Sequence, residues 1–225
     1  ALKSTAAHRA WLAGGCGAVA LTLAKSAGLA AESHVWMEPL AACCVGYLLS
    51  DLGSGVYHWA IDNYGDGGTP VFGGQIEGFQ GHHRRPATIT RRQMANNLHS
   101  LARAVTFAVL PAGLLSDDAA WLGFVGFCSG CVMFSQQFHA WAHTPRRRLP
   151  RVVAALQDSG ILVSPAQHGA HHRAPYNGNY CIVSGVWNGA LDGLMVFEAM
   201  EMAIYFRSGV RPRSWAEPTS DWTAE

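Results

Sequence analysis

Eight histidines and one aspartate stand in four short groups with metal-ligand spacing: His58-x-x-x-Asp62, His82-His83, His139-x-x-x-His143 and His168-x-x-His171-His172. On a helix, residues i and i+3 or i+4 share a face, so a group can aim two donors at one point. One such pair is weak grounds for a site, and a lone surface histidine such as His8, His34 or His99 is weaker still. Four groups set among apolar segments point to a multi-ligand metal centre in a membrane protein. Zinc is usually served by four ligands, often thiolates, and the donors here exceed one such site. Imidazole and carboxylate suit iron as well, and two metals sharing these donors would each be fully served. A His-rich dimetal site at a membrane face fits oxygen activation on lipid, where the protein binds the metals, holds the chain against them and excludes water. A zinc hydrolase would need a general-base carboxylate, as in H-E-x-x-H, but Ala140, Trp141 and Ala142 fill the interval between His139 and His143.

The elements that must carry these groups are apolar helices. The chain has 225 residues, 14% charged and 49% hydrophobic, with a net charge of +1. That is low in charge for a soluble domain, and the near-zero balance gives no case for nucleic acid as a partner. Four spans are expected: Trp11 to Ala31, Val35 to about Trp59, Leu98 to Leu115 with Pro111 inside it, and Ala119 to about Trp141. A span needs roughly 20 apolar residues and at least about 17, which makes the third marginal. Lys25 and Asp51 interrupt the first two, and an acidic residue within a span is a pairing or functional candidate. Four crossings bring all the histidine groups to one membrane face, whereas an odd number would divide them.

Charge agrees with that topology. Arg84, Arg85, Arg91, Arg92, Arg103, Arg146, Arg147, Arg148, Arg151 and Arg173 flank the histidine side, while Glu32, Glu38, Asp117 and Asp118 mark the other. The positive-inside rule then places the histidines on the cytosolic side or its organellar equivalent. The expected architecture is an all-α integral membrane bundle, one domain over 1–225, with the His-rich dimetal site at one face. Residues 64–74 read as a Gly/Pro-rich loop, 186–206 as an interfacial or packing helix, and 207–225 as a C-terminal surface tail with Trp215 and Trp222. Asn96, Asn97, Gln137, Gln167 and Asn188 are candidates to orient the ligands, since a ligating imidazole usually donates its other N–H. Cys128-Ser-Gly-Cys131 has redox spacing without a thioredoxin-like context and reads as buried helix packing. The chain opens on Ala1, as expected of a processed or trimmed form, and no targeting peptide is read from it.

The ordered motifs carry a resemblance. His58-Trp-Ala-Ile-Asp62, Phe79-Gln-Gly-His-His-Arg-Arg-Pro86 with Thr88-Ile-Thr90, His139-Ala-Trp-Ala-His143-Thr-Pro145, Leu156-Gln-Asp-Ser-Gly160 and His168-Gly-Ala-His-His172 with Tyr180-Cys-Ile182 resemble the Kua-type lipid desaturases. The likeness runs from about Leu40 to the C-terminus. That family holds the plasmanylethanolamine desaturases and the plant plastid enzymes that place a trans-3 double bond in palmitate of phosphatidylglycerol. Phe72-Gly-Gly-Gln-Ile-Glu-Gly-Phe-Gln-Gly-His-His83, Arg91-Arg-Gln-Met-Ala-Asn-Asn-Leu-His99 and Gly209-Val-Arg-Pro-Arg-Ser-Trp215 are similar to the plant branch.

The resemblance implies a di-iron centre using His58, His82, His83, His139, His143, His168, His171 and His172, with Asp62 as a ninth participant and O2 as oxidant. It further implies a thylakoid or envelope location in the chloroplast, a histidine face toward the stroma, and ferredoxin as electron donor. On this reading Arg84, Arg85 and the run Arg146, Arg147 and Arg148 attract the anionic lipid headgroup. An ether-lipid desaturase would use the same fold and site. Kua-like segments also occur fused to ubiquitin-conjugating modules, which makes a non-enzymatic membrane adaptor the remaining alternative.

Overall fold

The computed structural model describes residues 2–215. Among these, regular structure is helical and no strand forms: α1 (Ala6–Ser33), α2 (Met37–Asn63), α3 (Gly73–Arg84), α4 (Met94–Leu115), α5 (Ala119–Ala142), α6 (Arg151–Asp158), α7 (Pro165–His171), α8 (Asn188–Gly193) and α9 (Val196–Ser208). Short 3-10 turns lie at Pro86–Arg91, Arg146–Arg148 and Arg213–Trp215. Helices α1, α2, α4 and α5 are long and apolar enough to cross a membrane. The all-α, four-span expectation is met.

The chain divides into two compact units. The first holds residues up to Leu52 and from Arg91 to Phe138, that is α1, the first part of α2, α4 and most of α5. Thr5 starts α1: its hydroxyl accepts from the His8 N–H while the His8 ring accepts from the Thr5 N–H, closing a capping box. Helix α1 runs parallel to α4, since His8 stacks on His99 at 4.0 Å near one end and Lys25 Nζ donates to the Gly113 carbonyl at 3.2 Å near the other. Helices α2 and α5 are also parallel to each other. Cys43 Sγ donates to Gly123 O at 3.4 Å, and Gly46 lies so close to the α5 backbone that a Cβ there would stand 2.9 Å from Phe124 O. The opposed pairing of α1 with α5 follows from Ser26 Oγ, which donates to Ala119 O at 2.6 Å. Within the first unit, α2 and α5 therefore run in the opposite sense to α1 and α4.

Ala18, Ala102, Val105, Val109 and Met133 form the core of this unit. Small residues let these helices approach closely, the usual solution where no hydrophobic drive separates protein from lipid. Leu21, Phe107 and Leu114 are two-thirds or more exposed on the span surfaces, as suits side chains facing hydrocarbon. Lys25 is tolerated because its ammonium meets Asp117 at 2.8 Å beyond the end of α4, and Asp51 is fully buried. Cys128 and Cys131 carry free thiols within α5.

Three expectations need correction. The third span starts four residues early, at Met94, and reaches 22 residues. Its first-turn amides are satisfied within the unit: Asn96 Nδ2 donates to Lys3 O and Asn97 Nδ2 to Gln136 O. The helix expected over 186–206 breaks into α8 and α9, because Met195 adopts a left-handed conformation with φ 51°. The loop expected over 64–74 gives way to α3 at Gly73.

The second unit runs from Gly53 to Thr90 and from His139 onward. It contains the last turns of α2 and α5, with α3 and α6–α9. Ile76 and Phe79 of α3 pack on Ile61 of α2. Ser164 caps α7 by accepting from the Gln167 N–H at 3.2 Å, with Pro165 in the first turn. Gly209, at φ 74°, ends α9. Beyond it Arg213 donates to the carbonyls of Asp62 and Gly65, while Ser214 Oγ and Trp215 Nε1 each donate to Glu201 at 2.8 Å. The rest of the expected tail, including Pro218 and Trp222, lies outside the described residues.

Candidate metal centre

All nine ligand candidates fall in the second unit, and their donor atoms form two clusters. The first contains His58, Asp62, His83 and His171; the second contains His82, His139, His143, His168 and His172. Within each cluster the donor atoms lie within 4.8 Å of one another. The end of α2 supplies His58 and Asp62, one turn apart. The end of α5 supplies His139 and the residue just beyond it, His143. Helix α3 supplies His82 and His83, and α7 supplies His168 and His171, with His172 at its C-cap. Helical spacing keeps each i, i+4 pair in one cluster. Adjacent residues on a helix diverge by roughly 100°, so His82 and His83 separate into different clusters, as do His171 and His172.

In the first cluster Asp62 Oδ2 is the focus. It lies 3.1 Å from His58 Nε2, 3.1 Å from His83 Nε2 and 3.3 Å from His171 Nε2. The other nitrogens of two of these rings are committed elsewhere: His58 Nδ1 meets the Tyr180 carbonyl at 2.9 Å and His171 Nδ1 meets the Gly178 carbonyl at 2.8 Å. A carbonyl only accepts, so each Nδ1 must carry the proton, and in the neutral ring Nε2 then presents a lone pair. Burial, reinforced by His58, holds the His171 imidazolium form off to a pKa of about 4. Lone pairs therefore converge on a carboxylate oxygen inside a fully buried pocket. That arrangement wants a cation at its centre.

The second cluster wants one too. His143 Nε2 stands 2.8 Å from both His82 Nε2 and His168 Nε2, and His172 Nε2 stands 3.1 Å from His168 Nε2. Four nitrogens in such a chain cannot all find hydrogen-bond complements, because a neutral imidazole has one N–H. His139 is buried with neither ring nitrogen hydrogen-bonded. Burial and the neighbouring rings depress His82 to about 2 and His143 to about 4, and hold His168 and His172 well below the ordinary histidine value. Neutral imidazole is the form that binds metal. The chemistry of both donor sets fits a pair of transition-metal ions.

The orienting groups are mostly ones the sequence did not single out. Asn188 does act near the centre: its Oδ1 accepts from the Cys181 N–H at 2.8 Å. Gln167 Nε2 donates to Gly185 O at 3.3 Å, holding the chain between α7 and α8. Asn96 and Asn97 work in the first unit, as described above. The direct partners of His58 and His171 are backbone carbonyls, which carry no side-chain signature. Asp192, which appears in the sequence only as an interruption of an apolar stretch, accepts from the Asn179 N–H at 3.0 Å. Arg84 and Arg85 sit exposed at the end of α3, next in sequence to the ligand candidates His82 and His83.

Spans that end in two buried histidine-rich donor clusters define a class: a helical membrane protein with a candidate dimetal centre. The chain belongs to the lipid desaturase family, whose domain matches residues 47–215. It is 61% identical to "Fatty acid desaturase 4, chloroplastic" of Arabidopsis thaliana over 97% of this chain and 68% of that protein. It is 54% identical to "Fatty acid desaturase 4-like 1, chloroplastic" of the same plant, over 100% of this chain and 76% of that protein. The plasmanylethanolamine desaturase of Myxococcus xanthus is 32% identical over 77% of this chain and 63% of that protein. No solved structure matches the chain. The resemblance in the motifs is thereby borne out, and the chain is a fatty acid desaturase by family, an oxidoreductase.

Proposed function

We propose that this chain is an O2-dependent acyl-lipid desaturase that places a trans-3 double bond in palmitate of phosphatidylglycerol, in a chloroplast membrane, with the histidine clusters toward the stroma. The observation that carries the reading is the pairing of two complete donor clusters with 61% identity to a chloroplastic fatty acid desaturase. His58, Asp62, His83 and His171 hold one iron; His82, His139, His143, His168 and His172 hold the other. Two irons so held would supply what side chains lack: O2 would be reduced to two waters, taking two electrons from the donor, two protons from the medium and two hydrogen atoms from the saturated chain.

The chain's own residues do the rest. Their burial keeps the imidazoles neutral and the reacting carbon dry. A double bond next to the ester end of the acyl chain needs its oxidant near the headgroup plane, and ligands at the ends of α2 and α5 meet that need. Arg84 and Arg85 attract the anionic headgroup, each worth about 1 kcal/mol near the surface. Ferredoxin supplies the electrons. The whole of 1–225 works as one membrane desaturase domain. The test is reconstitution of the purified chain with iron, reduced ferredoxin, O2 and dipalmitoyl phosphatidylglycerol. A C3–C4 double bond in the recovered acyl chains supports the reading, and unchanged palmitate defeats it.

A further inference from the structure

Beside the metal clusters, the molecule offers other features: the apolar groove of about 190 Å³ lined by Val19, Leu23 and Phe134, the stacked His8–His99 pair, and the buried Glu201 hub. The segment that faces His58 and His171 carries an inference furthest. A trans peptide group points its C=O and its N–H in opposite directions. Two peptide groups here are held at both ends. The one joining Gly178 to Asn179 receives His171 Nδ1–H on its carbonyl at 2.8 Å and gives its N–H to Asp192 Oδ2 at 3.0 Å. The one joining Tyr180 to Cys181 receives His58 Nδ1–H on its carbonyl at 2.9 Å and gives its N–H to Asn188 Oδ1 at 2.8 Å. Asn188 also returns its Nδ2–H to the Cys181 carbonyl at 3.3 Å. Both side chains come from α8.

Resting on the metal-centre reading above, we propose that Asp192 and Asn188 are positioning residues for the four-donor cluster alone, acting through these two peptide groups on His171 and His58. A side-chain oxygen at one end of a peptide polarises its carbonyl at the other, and hydrogen bonds in such chains strengthen one another. The relay fixes ring orientation and tautomer and raises the basicity of the metal-facing Nε2, the part a carboxylate bonded directly to a ligating histidine ordinarily plays. A Cβ at Gly178 would stand 2.9 Å from Asp192 Oδ2, so a side chain there would push the carboxylate away from the Asn179 N–H. The five-histidine cluster has no counterpart at His139, where neither ring nitrogen has a partner, or at His168, whose Nδ1 has none. Losing the relay should weaken one cluster and spare the other.

The experiment measures iron retained by the full chain, purified in detergent, after dialysis against a ferrous chelator. Two backgrounds isolate the clusters: His143→Ala with His172→Ala leaves the four-donor cluster, and His83→Ala leaves the five-histidine cluster. In the first background Asp192→Ala should lower iron affinity by about 10- to 100-fold; in the second it should change nothing. Asp192→Asn should restore binding in the first background, because its Oδ1 still accepts from the Asn179 N–H, a rescue that charge repulsion or general loosening would not give. If Asp192→Ala does not fold, Gly178→Ala tests the same relay, since it crowds Asp192 and leaves every ligand in place. Iron retention unchanged in the first background, or lowered equally in both, overturns the proposal while the metal centre stands. A parent chain that retains no iron overturns both.

Discussion

His82 and His83 are neighbours in the chain but serve different donor clusters: His82 Nε2 lies 2.8 Å from His143 Nε2, and His83 Nε2 lies 3.1 Å from Asp62 Oδ2. The same division separates His171 from His172. A short motif thus bridges both halves of the centre, and a one-residue slip of α3 would spoil both.

This division gives a first prediction. His82→Ala and His83→Ala should each lower bound iron by about half, because each removes a ligand from one cluster only. Both should abolish desaturation, since either cluster alone lacks the second metal. Metal analysis of the purified variants checks this; loss of all iron from either single variant would show that the clusters fill only together.

Much of this was legible in the sequence, and the reasons are local. His58 with Asp62 and His139 with His143 follow from helical spacing, and four apolar runs follow from composition. The break between α8 and α9 was only half legible: Gly193 closes α8, but the residue that turns the chain in the left-handed conformation is Met195, a type that rarely adopts it. The division of His82 from His83 needs the orientation of α3, which the motif alone does not give. The carbonyl partners of His58 and His171 lie 122 and 7 residues away in sequence, and a backbone acceptor leaves no residue-type signal.

Acidity should release the centre. His143 and His171 have folded pKa values of about 4 against 6.5 in the unfolded chain, both chiefly through burial. The folded form therefore binds fewer protons than the unfolded form between these values. Its stability is fully present above about pH 6.5 and falls on acidification toward about pH 4, by about 1.4 kcal/mol per pH unit for each proton. Melting of the metal-free chain against pH should show this loss, and iron should delay it. A melting temperature flat from pH 7 to about pH 4.5 would contradict the assignment of neutral buried imidazoles.

The approach of α2 to α5 should tolerate no side chain at Gly46. A Cβ there would lie 2.9 Å from Phe124 O and 3.2 Å from Cys128 N, both backbone atoms that cannot swing aside. Gly46→Val should destabilise the chain by about 1–3 kcal/mol, the usual range for overpacking. Thermal unfolding in detergent reads the change, and a variant as stable as the parent would mean that these helices lie further apart.

Headgroup recognition makes a separate prediction. Arg84→Glu with Arg85→Glu reverses the exposed charge beside the clusters without touching a donor. Turnover of anionic phosphatidylglycerol should fall by about tenfold or more, from roughly 1 kcal/mol per basic residue, while bound iron is unchanged. Equal turnover of parent and variant would remove headgroup steering from the account.

The most direct test is the fatty-acid profile of each lipid class in a host making this chain together with a plant-type ferredoxin, with His172→Ala as control. A trans-3 hexadecenoyl chain confined to phosphatidylglycerol, and absent with His172→Ala, is the result the account predicts. New vinyl ethers, or no lipid change in a host where the chain is iron-loaded and ferredoxin is reduced, would contradict it.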